Sequence, residues 1–167
     1  MKNYSPIPGV IISFSDSAWQ QSLPDCEGLV LQVMEVAIPF IPFDLRGTEL
    51  SVYLTDDEEI QGLNKDYRGK NKPTNVLSFP QGNVPKGPNG EVHPLGDIAM
   101  AYETCLREAD HEGIPFKNHF IHLLIHGLLH LLGYDHENEE DAEKMETLEV
   151  QILQALHIPN PYLAEES

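Results

Sequence analysis

The hydrophobic and polar positions of this chain follow two periods, one typical of β-strands and one typical of α-helices. Val10 to Phe14 is apolar and β-branched, and Glu49 to Leu54 alternates polar and apolar side chains, so both are predicted strands. Two shorter strands are predicted at Asn75 to Phe79, which Pro80 stops, and at Asp97 to Ala101. Together they predict one small sheet.

Between and after these strands, apolar side chains recur at helical spacing. The predicted helices run from Pro24 to about Ala37, from Thr55 onward, from Glu103 to His111, from about Lys117 to Leu132 and from about Glu139 to Leu156. Thr55 is placed as the cap of its helix by a capping box, Thr55-Asp56-Asp57-Glu58. The Gly-, Pro- and Asn-rich stretch from Gln81 to Gly96 is predicted to be a surface loop. Because strands and helices interleave, the predicted fold class is α+β, with a single small mixed β-sheet packed against helices.

Length and composition indicate one domain. The 167 residues are 41% hydrophobic, enough for one buried core, and no internal repeat is visible. Met1 to Phe14 is interrupted by prolines and lacks a secretory core, and no apolar run is long enough to span a membrane. Cys26 and Cys105 lie far apart and outside any CxxC spacing, which indicates reduced, buried thiols, with a disulfide as the alternative. We expect a single domain over residues 1–167 and a cytoplasmic location.

The helix from about Lys117 to Leu132 is nearly all apolar, which is typical of a core helix. Its polar exceptions are mainly histidines that fall within an arc of about 80° on a helical projection. They are His119, His122, His126 and His130. Polar side chains confined to one stripe of a buried helix indicate the floor of a cleft.

His126 and His130 are spaced for binding one metal ion. Side chains four residues apart stand about 40° apart around a helix and about 6 Å apart along it, so two imidazoles can share an ion. His136 follows Gly133, which can take the left-handed conformation that ends a helix and turns the chain back. Three neutral imidazoles leave a tetrahedral Zn²⁺ with one open position, as in catalytic sites. The spacing predicts one Zn²⁺ per chain on these three histidines; for the pair alone, two satisfied core side chains are the alternative.

His122 offers a rival pairing, because it lies four residues before His126. His122 and His130 are about 12 Å apart along the helix axis, whereas metal–nitrogen bonds are only about 2 Å long. Both cannot bind the same ion. The turn after Gly133 brings His136 to the His130 end, so His122 is predicted to be a neighbour or a buried hydrogen-bonding group.

A zinc site of this kind indicates hydrolysis, because zinc-bound water loses a proton near neutral pH and the metal polarises the electrophile. The HExxH motif of metalloproteases carries its general base beside the first histidine, where this chain has Gly127. Asp135 and Asp97 are the candidate catalytic acids, able to orient an imidazole or accept a proton. Each is otherwise an ordinary turn or capping residue.

The net charge of the chain and the distribution of its charges give opposite indications about nucleic-acid binding. The net charge of -17 opposes non-specific binding of a polyanion. The distribution is uneven, however, because a basic cluster falls within eight positions and consists of Lys65, Arg68, Lys70 and Lys72. Arg68 could bind a phosphate through two parallel hydrogen bonds, with the lysines adding attraction at longer range. A solvated basic face is the alternative, and only the nearby hydrolytic metal makes phosphodiester cleavage attractive.

Three segments carry longer motifs: HGxLHLxGYDH from His126 to His136, YRxxxxPTxVLSFP from Tyr67 to Pro80, and LGDI from Leu95 to Ile98. In these motifs the chain resembles the YbeY-type endoribonucleases, bacterial metal-dependent enzymes of rRNA maturation. The resemblance implies a zinc ion on His126, His130 and His136 and a functional arginine at Arg68. It also implies cleavage of single-stranded RNA, processing of the 3′ end of 16S rRNA, and ribosome quality control.

The resulting hypothesis is a cytoplasmic zinc-dependent endoribonuclease specific for single strands, with rRNA, the ribosomal particle or ribosome-associated proteins as partners. Either a metal-activated water or the substrate 2′-hydroxyl attacks the phosphodiester. A metalloprotease or another small-substrate metallohydrolase is the enzyme alternative, favoured by the HxxxHxxxxxH spacing and opposed by Gly127. A non-catalytic, zinc-stabilised ribosome-assembly factor is the alternative outside enzymes.

Overall fold

The computed structural model describes residues 8–15, 17–42, 45, 47–80, 93–134 and 138–162. Four strands lie in this part of the chain: β1 (Gly9–Phe14), β2 (Thr48–Thr55), β3 (Val76–Pro80) and β4 (His93–Ala101). The helices are α1 (Ala18–Ser22), α2 (Cys26–Ala37), α3 (Asp57–Arg68), α4 (Tyr102–Glu112), α5 (Phe116–Leu131) and α6 (Glu139–Ala155). A 3-10 turn, Ile38–Phe40, follows α2.

The four strands form one sheet in the order β1-β2-β4-β3. Strands β1, β2 and β4 run parallel, and β3 joins β4 as an antiparallel edge strand. Parallel neighbours need a crossover, which the intervening helices provide. The structure thus confirms the predicted α+β class, a mixed sheet packed against helices.

Helix α5 lies on the sheet as the central element of the core. Ten of its sixteen residues are buried. A Cβ atom at Gly127 would lie 3.2 Å from Ile98 Cγ2 in β4 and 3.2 Å from Ser78 Oγ in β3. The Ser78 hydroxyl donates to the Gly127 carbonyl at 3.0 Å. The absence of a side chain at position 127 therefore lets the helix backbone approach the sheet closely.

The four predicted strands and the five predicted helices are confirmed, with differences at their ends. The prediction that Thr55 caps a helix is wrong: Thr55 ends β2, and the Asp56 side chain instead accepts from the Glu59 N–H at 2.9 Å. The short helix α1 was not predicted. Its Trp19 is fully buried and donates to the Thr55 carbonyl at 2.9 Å, so a tertiary contact explains a helix that local sequence pattern did not reveal.

The predicted loop from Gln81 to Gly96 is also too long at its end, because β4 already begins at His93. Pairing with β2 accounts for the earlier start, since the register opposes His93 to Thr48. Residues 81–92 lie outside the described part of the chain. Cys26 and Cys105 are both free and buried, as predicted. Among the described residues, no helix is both long and apolar enough to cross a bilayer.

Candidate metal centre and adjoining cleft

The four histidines of α5 form one line along the helix, as their spacing predicts. Neighbouring rings meet edge to face, with centroids 6.4 Å apart for His119 and His122, 6.3 Å for His122 and His126, and 4.6 Å for His126 and His130. The buried residues between them are mostly Leu, Ile and Phe. The line therefore presents three half-buried imidazoles, those of His122, His126 and His130, at a face of α5 that the core does not cover, while His119 is buried.

His126 and His130 direct the same ring nitrogen toward each other. Their Nε2 atoms are 3.1 Å apart. Two ligands of a tetrahedral ion with bonds of about 2.0 Å are separated by roughly 3.3 Å. The pair thus has the nitrogen separation that a shared metal ion requires, and the residues present fit a metal at this point.

Glu149 of α6 contacts His126 and the preceding histidine of the line, His122. The carboxylate is fully buried, with Oε1 3.0 Å from His126 Nδ1 and Oε2 2.7 Å from His122 Nε2. The Tyr162 hydroxyl donates to Oε2 at 2.8 Å. When the neutral His126 ring donates from Nδ1, the lone pair is on Nε2, the nitrogen that faces His130. The buried carboxylate therefore selects the tautomer that can bind a metal.

Glu149 is ionised at neutral pH in spite of its burial. Burial by itself raises the pKa of this carboxyl, but hydrogen bonds from His122 and His126 and the charges of those rings lower it to about 2. Burial and the neighbouring carboxylate raise the pKa of Tyr162, so its hydroxyl stays protonated as a donor. One buried anion is thus held by three hydrogen-bonding partners.

A second grouping around His126 can also be drawn. His122, His126 and Glu149 form a His-His-Glu group capable of holding a metal ion, with their ligand atoms within 4.8 Å of one another. The two groupings differ in the His126 nitrogen that they use, Nδ1 beside Glu149 or Nε2 beside His130. The hydrogen-bonding role predicted for His122 is confirmed by its contact with Glu149.

The end of α5 follows the turn expected at Gly133. Its φ is +97°, in the left-handed half of the backbone map. The Gly133 N–H donates to the His130 carbonyl and the Tyr134 N–H to the Leu129 carbonyl, both at 3.0 Å. These two bonds define a Schellman motif, which ends a helix and reverses the chain direction. Asp135 and His136, which follow, lie outside the described residues.

Arg68 shares a cleft with the two metal-facing histidines. The cleft has a volume of about 670 Å³, and its lining includes Arg68, His126, His130 and the β3 strand. Arg68 is the last residue of α3, and its side chain is exposed. Buried Asn64 donates to the Lys72 carbonyl at 2.9 Å and so holds the loop that follows. The arginine and histidines singled out from sequence thus meet in one concave surface.

Asp97 lies in β4, opposite Ser51 of β2 and Phe79 of β3, and is half-buried. It does not belong to the residues that line the cleft. Its predicted catalytic role therefore stays a prediction, as does that of Asp135.

A second cleft of about 580 Å³ opens on the other side of His126. It shares Asn75, Val76 and His126 with the first cleft. Here the His119 Nε2 lies 2.8 Å from Glu108 Oε1. Burial raises the pKa of Glu108, but the hydrogen bonds from His119 and Asn75 outweigh it, and the pKa is lowered.

Sequence reasoning missed Glu149 and Tyr162. The signal for Glu149 was its position on α6, directly between Leu148 and the core stripe that continues at Ile152. A carboxylate so close to a buried stripe needs a buried partner. Tyr162 follows α6 and gave no comparable signal.

A family model and two relatives agree on one family. A family model described as Endoribonuclease YbeY matches residues 12–157. An Endoribonuclease YbeY from Rhodopseudomonas palustris is 48% identical over 163 residues, covering 98% of this chain and 85% of that protein. One from a Bradyrhizobium species is 46% identical, covering 97% and 96% respectively. The solution structure of TM1509 from Thermotoga maritima is similar, with a TM-score of 0.54, 25% identity, and coverage of 95% of this chain and 96% of that chain.

Proposed function

The chain belongs to the YbeY endoribonuclease family, and we propose that it is a zinc-dependent endoribonuclease that cleaves single-stranded RNA. Its role is maturation of the 3′ end of 16S rRNA and ribosome quality control, in the cytoplasm and on ribosomal particles. The observation that carries the proposal is that Arg68 lines the same cleft as His126 and His130. A guanidinium beside a pair of metal-binding imidazoles suits a phosphodiester substrate.

The ion would be held by His126, His130 and His136. The Nε2 separation of 3.1 Å and the donation of Nδ1 to Glu149 support the first two ligands. The chain reversal at Gly133 supports the third. When bound, Zn²⁺ supplies a water of lowered pKa and polarises a phosphoryl oxygen.

The chain's own groups position the substrate. Arg68 donates two parallel hydrogen bonds to phosphate oxygens, which orients the phosphodiester in the cleft. Glu149 keeps the His126 ring in a single orientation and tautomer. Asp135 is proposed to accept a proton from the attacking hydroxyl, whether water or the RNA 2′-hydroxyl. Asp97 does not line the cleft, and its proposed role is to orient an imidazole.

The packing of Gly127 opposes the metalloprotease alternative. A glutamate at that position would place its Cβ atom only 3.2 Å from Ile98 Cγ2 and from Ser78 Oγ, which leaves no space for the rest of its side chain. The position beside the first histidine is thus closed to the protease base. A non-catalytic role likewise does not account for the position of Arg68 in the same cleft as the two histidines.

RNA cleavage by Arg68→Lys tests the proposal, because lysine keeps the charge but loses the planar two-pronged donor. Loss of a charged hydrogen bond of about 1.5–3 kcal/mol predicts a rate lowered roughly 10- to 100-fold. Zinc content and thermal unfolding should not change. Arg107→Lys is the matched control, since Arg107 is exposed, is paired with Asp57 and lies outside this cleft.

Wild-type protein that binds zinc but leaves single-stranded RNA intact would refute the proposed activity. Normal cleavage by Arg68→Lys would refute the phosphate contact alone. Analysis of the product ends separates the two forms of attack, because the 2′-hydroxyl gives a cyclic phosphate and water can leave a 3′-hydroxyl.

A further inference from the structure

Tyr67 is the most exposed large side chain with apolar surface in the described part of the chain. Its side chain is 69% accessible, against 49% or less for Ile11, Leu31, Phe40 and Tyr162. It lies in the last turn of α3. An aromatic ring this exposed gains little from burial, so core packing does not account for its position.

The ring of Tyr67 packs against the ring of Phe79. It meets Phe79 of β3 edge to face, with centroids 4.9 Å apart and planes at 61°. Phe79 packs in turn against the small core cluster of Ile60, Leu77, Ala99 and Ala101, a cluster that does not include Tyr67. The pair is therefore anchored through Phe79, while a face of Tyr67 stays open to solvent.

Both rings line the cleft that also holds Arg68, His126 and His130. The aromatic surface thus lies in the same concavity as the proposed phosphate-binding arginine. A nucleotide bound there carries its phosphate and its base within a few ångströms of each other. The cleft offers a cation for the first and an aromatic face for the second.

Resting on the proposed function, we propose that Tyr67, held by Phe79, is a stacking platform for one unpaired RNA base next to the phosphate bound by Arg68. Bases stack on aromatic side chains whatever their identity, because each base has a π-face. A base inside a duplex is already stacked and paired and has no face to offer. The platform therefore determines selectivity for single strands over duplexes.

The test is the binding of labelled single-stranded RNA to the zinc-loaded protein, measured by stopped-flow anisotropy before cleavage. Tyr67→Ala should weaken binding about 10-fold, whereas Tyr67→Phe should bind like wild type, because the stacking face is retained. Phe40→Ala is the matched control, because Phe40 is an exposed aromatic residue that lines neither this cleft nor the second one. Its loss should leave binding unchanged.

RNAs with a single abasic nucleotide at each position around the cleavage point identify the base. At one position the abasic nucleotide should weaken RNA binding by the wild-type protein about 10-fold and leave RNA binding by Tyr67→Ala unaltered. The proposal is overturned if Tyr67→Ala binds single strands like wild type, or if it loses affinity for duplex RNA equally. Absence of cleavage with Tyr67-dependent binding would instead refute the endoribonuclease activity and leave the platform intact.

Discussion

One buried carboxylate organises the histidine line at the scale of single residues. Glu149 contacts His122 and His126 with its two oxygens and accepts a third hydrogen bond from Tyr162. Hydrogen bonds to an ionised group in a buried position are stronger than those between neutral groups. The carboxylate thus fixes the ring whose Nε2 atom faces His130.

Replacing Glu149 with Gln should raise the dissociation constant for zinc about 10- to 100-fold, because partners that orient a metal-bound histidine have effects of this size. An amide presents an NH₂ group where one of the three donors now binds. Competition with a fluorescent chelator measures the change, and Glu143→Gln, an exposed position on the same helix, is the control. Unchanged zinc affinity in Glu149→Gln would show that the carboxylate only satisfies the core.

His122→Ala and His130→Ala distinguish the two possible groupings. With the ion on His126, His130 and His136, His130→Ala should lose most of its zinc and His122→Ala should retain about one ion per chain. Metal content by mass spectrometry is the measurement. Equal loss in both variants, or greater loss in His122→Ala, would favour the His122–His126–Glu149 group instead.

Two glycines give α5 its place at the scale of secondary-structure elements. Gly127 lets the middle of the helix approach β3 and β4, and Gly133 ends the helix in a Schellman motif. Gly127 determines how closely α5, with its histidines, packs against the sheet. Gly133 determines where the chain goes after His130.

Gly133→Val should lose zinc and also lower the free energy of unfolding by at least about 1 kcal/mol. The expected cost comes from the backbone, because a φ of +97° is unfavourable for valine. Steric contact adds nothing, since no described neighbour lies within 4 Å of a Cβ atom at this position. Chemical denaturation and metal content measure the two effects. A folded Gly133→Val protein with full zinc occupancy would mean that the third ligand does not depend on this turn.

Gly127→Ala should destabilise the protein by about 1 kcal/mol, although alanine favours helix by a similar amount. The added methyl group would lie 3.2 Å from fully buried Ile98 and from the hydroxyl of Ser78. Gly62→Ala in α3 is the matched control, because its Cβ meets nothing within 4 Å and should stabilise. Gly127→Ala unfolding at a higher denaturant concentration than wild type would contradict the close-approach argument.

Charge is distributed unevenly at the scale of the whole molecule. The chain carries a net charge of -17, yet Arg68, Lys70 and Lys72 follow one another at the end of α3 and are exposed. A surface of net negative charge repels RNA. The basic segment beside the cleft therefore gives the polyanion a favourable approach to it.

Lys72→Ala should weaken RNA binding mainly at low salt and reduce the slope of log affinity against log salt by about 1. Its carbonyl contact with Asn64 is a backbone interaction and survives the substitution. Lys144→Ala is the control, because Lys144 is exposed on α6 and lies 3.5 Å from Glu140. The same change of slope in both lysine variants would mean that the RNA approaches no particular side of the protein.

Sequence pattern by itself determined the features that depend on near neighbours in the chain. Strand and helix periods, the four-residue spacing of His126 and His130, and the glycine turn at Gly133 all act over a few residues, where backbone geometry leaves few alternatives. The motifs around Tyr67 and His126 were also sufficient to identify the family. These predictions depended on no contact between distant parts of the chain.

Only the tertiary structure decided which distant groups meet. The sheet order brings β3 beside β4, which places the end of α3 and its Arg68 at the cleft of His126. Packing of α6 on α5 delivers Glu149 to two histidines that precede it by more than twenty residues. Such contacts depend on how all the hydrophobic faces are buried together, and no local period encodes that arrangement.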